Sequence, residues 1–132
     1  MVDAESEVYT AIAVPLREAF PGIDVKSVLT LSPTVFPCAC IEQINSTHYR
    51  KTDDSSGIEK YTDSVFKVNV YTMGATAKSE CKAVMAFIDE RFNRMGFART
   101  ALNPVPTGDT SKHRREAVYR GVISLNHTVY RR

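Results

Sequence analysis

The stretch 75–95 constrains the fold more than any other. Ala77, Cys81, Val84, Met85, Ile88, Phe92 and Met95 recur at helical spacing on one face, and Lys78, Lys82, Asp89, Glu90 and Asn93 occupy the other. A helix built this way must lay its apolar stripe on a second apolar surface. Thr76 or Ser79 is placed to start it, and Gly96 is placed to end it in a left-handed conformation.

The partner surface reads as a sheet. In 61–73, Val65, Lys67, Asn69 and Tyr71 alternate with Phe66, Val68 and Val70, the pattern of a half-buried strand. In 36–44, Phe36, Cys38, Cys40 and Glu42 share one face, and Ala39, Ile41 and Gln43 share the other. Pro37 has no ladder donor and belongs at the strand start or on an edge. The β-branched run 23–31 predicts a strand, and 97–102 predicts a short one. A long extended segment over 112–129 sets Tyr119, Gly121, Ile123 and Leu125 against Val118, Arg120, Val122 and Ser124.

A first helix is expected over 3–20, where Val8, Ile12 and Leu16 recur every fourth residue. Asp3 or Ser6 is placed to cap it, and Pro21-Gly22 ends it. Pro15 removes a hydrogen bond and crowds the preceding turn, so a kink or break is expected within 11–15. The polar stretch 45–60 and the turn-rich stretch 103–110 read as loops. The order α-β-β-β-α-β-β predicts an α+β fold, a mostly antiparallel twisted sheet with two helices on one face. A chain of 132 residues, 43% hydrophobic, is expected to form it as one domain over 1–132 with no disulfide or metal staple. Val84, Ile88 and Phe92 are expected to pack on Phe66, Val68, Ile41 and Ile123.

Few residues point to chemistry. The six glycines stand too far apart for a phosphate-binding loop, and no G-x-S-x-G elbow is present. Cys38 and Cys40 read as small apolar residues facing a core helix, and helical Cys81 as a packing residue facing the same core as Met85. His48, His113 and His127 show no paired spacing near them, so no metal or cofactor is expected. Asp53, Asp54, Glu59 and Asp63 read as solvated charge balanced by Lys51 and Lys60. The amino-terminal MVDAESEVYT is acidic, no apolar run approaches the length of about 20 residues that spans a membrane, and three cysteines suit a reducing compartment. A cytosolic product without a targeting segment or membrane contact is expected.

Seventeen Lys and Arg against fifteen Asp and Glu leave a formal net charge of +2, too small to announce nucleic-acid binding. The basic residues nevertheless gather late. Lys112, Arg114, Arg115, Arg120, Arg131 and Arg132 face one acid, Glu116, with Tyr119 and Tyr130 interleaved. Alternate strand residues point opposite ways, so these charges do not form one stripe. Arginine and tyrosine also suit protein contacts, which favours self-association or a partner over a sequence-reading nucleic-acid site.

Taken in order, these segments resemble the small tail-completion, or tail-terminator, proteins of long-tailed bacteriophages and prophages. The resemblance runs from the helix VYTAIAVPLREAF and Phe20-Pro21-Gly22 through IDVKSVLTL and FPCACIEQI. It continues in VFKVNVY, in the helix carrying Ile88-Asp89 before Gly96-Phe97, and in REAVYRGVI with Val129-Tyr130-Arg131-Arg132. It implies a structural virion protein without turnover that caps the tail tube at its head-proximal end. Such proteins form closed, typically hexameric rings against the tail tube protein and a neck or head-completion protein, and DNA passes through the lumen without sequence-specific contact. The implied location is the virion, with assembly in the host cytoplasm. Arg114, Arg115 and Arg120 are candidates for inter-subunit or lumen electrostatics, and Tyr49, Asp53 and Asp54 for contacts of the polar loop. The alternatives are a head-completion or minor capsid protein, a small non-sequence-specific nucleic-acid-binding module and a small enzyme.

Overall fold

The computed structural model describes residues 5–30, 33–48, 61–107, 111–124 and 129–130. The elements follow the order α1 (Glu5–Ala19), β1 (Asp24–Lys26), β2 (Cys38–His48), β3 (Tyr61–Met73), α2 (Ala77–Arg94), β4 (Ala98–Val105), β5 (Lys112–Ser124) and β6 (Val129–Tyr130). They build one sheet in the order β1-β2-β3-β5-β4, with β6 pairing the far end of β5. Every pairing is antiparallel except β1 with β2. The fold is α+β, as the alternation and the two helical stripes predict.

Both helices cover the same face. Val8, Ile12, Ala13 and Leu16 of α1 and Cys81, Val84, Met85, Ile88 and Phe92 of α2 share one core with Ala39, Ile41, Phe66, Val68, Val70, Ala117 and Tyr119. The expected packing of Val84, Ile88 and Phe92 on Phe66, Val68 and Ile41 is present, while the side chain of Ile123 lies outside the described residues. Phe92 stacks on Tyr119 with ring centroids 4.2 Å apart and an interplanar angle of 9°. No helix among the described residues is long and apolar enough to cross a membrane.

The end of α2 follows its sequence closely. Gly96 has φ +88°, and its N–H donates to the Asn93 carbonyl while the Phe97 N–H donates to the Phe92 carbonyl. This Schellman pairing turns the chain so that Phe97 packs against Phe92, centroids 5.3 Å apart, and enters β4. At the start of α2, Thr76 occupies the N-cap position without a side-chain capping bond. Thr72 of β3 instead donates its hydroxyl to the Ala77 carbonyl, tying the helix to the sheet.

Four expectations need correction. First, α1 runs unbroken through Pro15. The carbonyl that loses its donor belongs to Ala11, which is exposed and can be served by water, while Ile12 and Leu16 hold both sides of the proline in the core. Second, the strand expected over 23–31 is only three residues long, because β1 lies parallel to β2 and the chain must leave the sheet to reverse. Third, the stretches read as polar loops donate residues to strands: β2 continues through His48 after a bulge between Gln43 and Asn45, and β4 extends to Val105. Fourth, Cys38 and Cys40 do not face a helix. They are buried on the opposite face of the sheet with Tyr71 and Phe36.

Candidate functional site

The face of the sheet away from the helices carries the arginines unequally. Strand alternation places Arg114, Glu116 and Arg120 on this face and Arg115, Ala117 and Tyr119 on the helix side. Arg114 is committed within the chain. Its Nε and Nη2 donate to Oδ1 of buried Asn69 at 3.0 and 2.8 Å, and its guanidinium lies 5.0 Å from the centre of the Tyr71 ring. Nη2 also stands 3.8 Å from Glu116 Oε2, which Lys67 Nζ approaches at 3.8 Å. The Arg114 side chain is only 17% exposed, so this clamp stiffens the sheet and leaves little of the charge for a partner. Arg120 is exposed, opposite Val65 on β3 and Ala98 on β4.

The loop between β1 and β2 covers one end of this face. Thr30 bonds the Cys40 thiol, Phe36 packs on the Cys38–Cys40–Tyr71 cluster, and Lys112 Nζ sits 5.6 Å from the centre of the Phe36 ring. The paired thiols polarise each other: Cys38 donates to Cys40, so its own proton is held more tightly, and Cys40 is shifted down by the bond it receives. Burial pushes the Tyr71 hydroxyl up, and that buried hydroxyl has no hydrogen-bond partner among the described residues. The chain exposes Val28, Leu29 and Val35 between β1 and β2, Ile44 at the β2 bulge and Met73 at the end of β3. Among the described residues, no three His, Cys, Asp or Glu side chains converge as metal ligands.

Arg115 belongs to a different surface. Cys81 of α2 donates its thiol to the Val70 carbonyl, and Val70 pairs in register with Arg115, so the first turns of α2 lie beside His113 and Arg115. Burial raises the Cys81 thiol to about 11, which marks it as a packing residue. Arg115 Nε donates to His113 Nε2 at 3.3 Å. Burial first, then Arg115, Lys78 and Lys82, hold the His113 imidazole below its ordinary value. Among the described residues, Lys78, Lys82 and Arg115 enter no ion pair.

The structure therefore separates Arg114 and Arg120 from Arg115. Tyr49, Asp53 and Asp54 lie outside the described residues. Sequence reasoning places Lys78 and Lys82 on the polar face of α2 but misses their convergence with His113 and Arg115. That convergence requires knowing which strand lies beneath the helix. The Asn69–Arg114 clamp joins residues 45 positions apart and has no local signal.

No protein-family model and no curated protein matches the chain. Its fold does recur among solved structures. One such chain is 13% identical with a TM-score of 0.50, and the match covers 87% of this chain and 94% of that one. At that identity the likeness shows the fold alone.

Proposed function

We propose that the chain is a structural virion protein of the tail-terminator type, a ring at the head-proximal end of a phage tail that ends tube growth and presents a docking surface to the neck. One observation carries this reading. Among the described residues no helix covers the face of the sheet stiffened by the Arg114–Asn69–Tyr71 clamp, and exposed Met73 stands on it beyond Tyr71. A rigid, uncovered sheet face with an exposed apolar side chain suits contact with other proteins.

On this reading the protein works by shape and turns over no substrate. Identical copies close a ring, typically hexameric, through heterologous contacts in which one patch meets a different patch of the next copy. Repetition around the ring turns weak contacts into a stable collar on the tube. DNA passing through the lumen meets sequence-independent, salt-sensitive contacts only. The virion is then the working location, with assembly in the host cytoplasm.

Electron microscopy of particles lacking the protein tests the reading. Overlong tails without a terminus are expected. DNA-filled heads that leak beside tails of normal length overturn the reading and assign a head-completion role instead.

A further inference from the structure

Two tethers hold the start of α2 over the sheet in a defined register. Thr72 of β3 donates its hydroxyl to the Ala77 carbonyl, and the Cys81 thiol donates to the Val70 carbonyl. The partners of Thr72 and Val70 on β5 are His113 and Arg115. Lys78 and Lys82 each follow a tethered residue, so two rows run in the same chain direction, Lys78 and Lys82 on the helix and His113 and Arg115 on the strand. Four helical residues advance about 6 Å, and two strand residues advance about 7 Å. The rows therefore keep step.

Nothing within the described residues balances this charge. Lys78 and Lys82 are exposed and, with Arg115, enter no ion pair there. Arg115 spends Nε on His113 Nε2 at 3.3 Å, and its two Nη groups make no hydrogen bond among the described residues. The charges that act on His113 are Arg115, Lys78 and Lys82, with no acid among them, while Glu80 of the first turn acts on Cys81. Burial and these three cations keep the imidazole below its ordinary value, so the fold holds it neutral beside them. An anion laid along the rows removes the repulsion.

The chemistry of the patch selects the anion. Protein-binding patches gather aromatic and apolar side chains at their centre and shed lysine. Here the exposed neighbours of the two lysines on α2 are Ser79 and Ala83, and among the described residues neither α2 nor β5 exposes a large apolar side chain. Interfaces with nucleic acid are more polar and far more cationic. Their lysines and arginines meet phosphates without reading sequence.

We infer that the rows of Lys78, Lys82, His113 and Arg115 bind the phosphate backbone of a nucleic acid, with Arg115 offering its guanidinium fork and the lysines acting as point charges. The inference goes beyond the ring reading, since it gives the DNA of that reading a surface yet stands on the geometry of one chain. Its test uses the purified protein, so failure here leaves the ring reading to the particles.

Fluorescence anisotropy with two labelled DNA duplexes of unrelated sequence reads the binding. The parent is expected to bind both alike, with affinity falling steeply as salt rises. Lys78→Gln combined with Lys82→Gln is expected to weaken both about tenfold or more and to flatten the slope of log affinity against log salt by about 2. Arg94→Gln removes a charge at the far end of α2, where it pairs with Glu90, and is expected to change little. Both lysines are exposed, so far-UV circular dichroism of the double variant is expected to match the parent. If it does not, Lys82→Gln alone makes the comparison, with a slope change of about 1. The His113 imidazole, identified in NMR spectra by its loss in His113→Gln, is expected to titrate at higher pH with DNA bound, because phosphate offsets the three cations. Parental affinity in the folded lysine variant overturns the inference, as does DNA binding that leaves the His113 titration unmoved. Polyglutamate that displaces the duplex as well as unlabelled DNA overturns it in favour of an acidic protein partner. Inorganic phosphate that moves His113 as far as the duplex does at equal phosphate concentration overturns it in favour of a site for the free ion.

Discussion

Tyr71 and Arg114 show how single residues shape the helix-free face. The buried Tyr71 hydroxyl has no partner among the described residues, although its ring supports the Arg114 guanidinium. A buried unpaired donor costs about 1–3 kcal/mol. Tyr71→Phe keeps the ring and removes that cost, so it is expected to leave stability unchanged or raise it by up to about 1 kcal/mol in urea unfolding. Arg114→Ala strips buried Asn69 of two charge-assisted bonds and is expected to cost about 1.5–3 kcal/mol in the same assay. Equal, small effects for both would show that the clamp contributes nothing. His113 adds a pH dependence of known sign. Its folded value is depressed from 6.5 by burial, Arg115, Lys78 and Lys82, so the fold favours the neutral ring. The unfolded chain then takes up the proton first as pH falls. The contribution is complete above about 6.5 and is lost as pH drops through and below that value. The urea midpoint of the parent is expected to fall relative to that of His113→Gln as pH drops below about 6.5, with a constant difference between the two above it.

At the scale of elements, the turn from α2 into β4 depends on a glycine in a different strand. A Cβ at Gly121 would stand 2.9 Å from Cδ2 of Phe97, and that ring is wedged against Phe66 and Phe92. Because the ring has nowhere to go, Gly121→Ala is expected to cost about 1–3 kcal/mol through overpacking, read as a lowered melting temperature. An unchanged melting temperature would mean that the Phe97 pocket is loose. Elements with a strong period of their own were legible in the sequence. The 3.6-residue period of Cys81, Val84, Met85, Ile88 and Phe92 gives α2, and the two-residue period of Phe66, Val68 and Val70 gives β3. Parity also separated Arg114 from Arg115. What stayed hidden depends on neighbours. Alternation sorts Cys38 and Cys40 from Ala39 and Ile41 but does not say which set meets the helices. Asn45 to His48 have no apolar period, and only pairing with β3 makes them strand. The parallel register of β1 leaves no local mark either.

At the scale of the whole molecule, one side of the sheet holds the core, and among the described residues no helix covers the other. Ile88→Asp puts a charge among Val84, Phe92 and Val68 with no partner, and it is expected to abolish folding, seen as loss of the cooperative melting transition. The cluster of Lys78, Lys82, His113 and Arg115 was legible only as types of charge, because its members meet through the packing of α2 on β5 and not through spacing. The central claim is that copies of this chain close into a collar where the tail meets the head. Gold-labelled antibody against the chain, viewed on intact particles by electron microscopy, tests it most directly. The account predicts label confined to the head–tail junction of each particle, and label absent from particles or spread along the tube would contradict it.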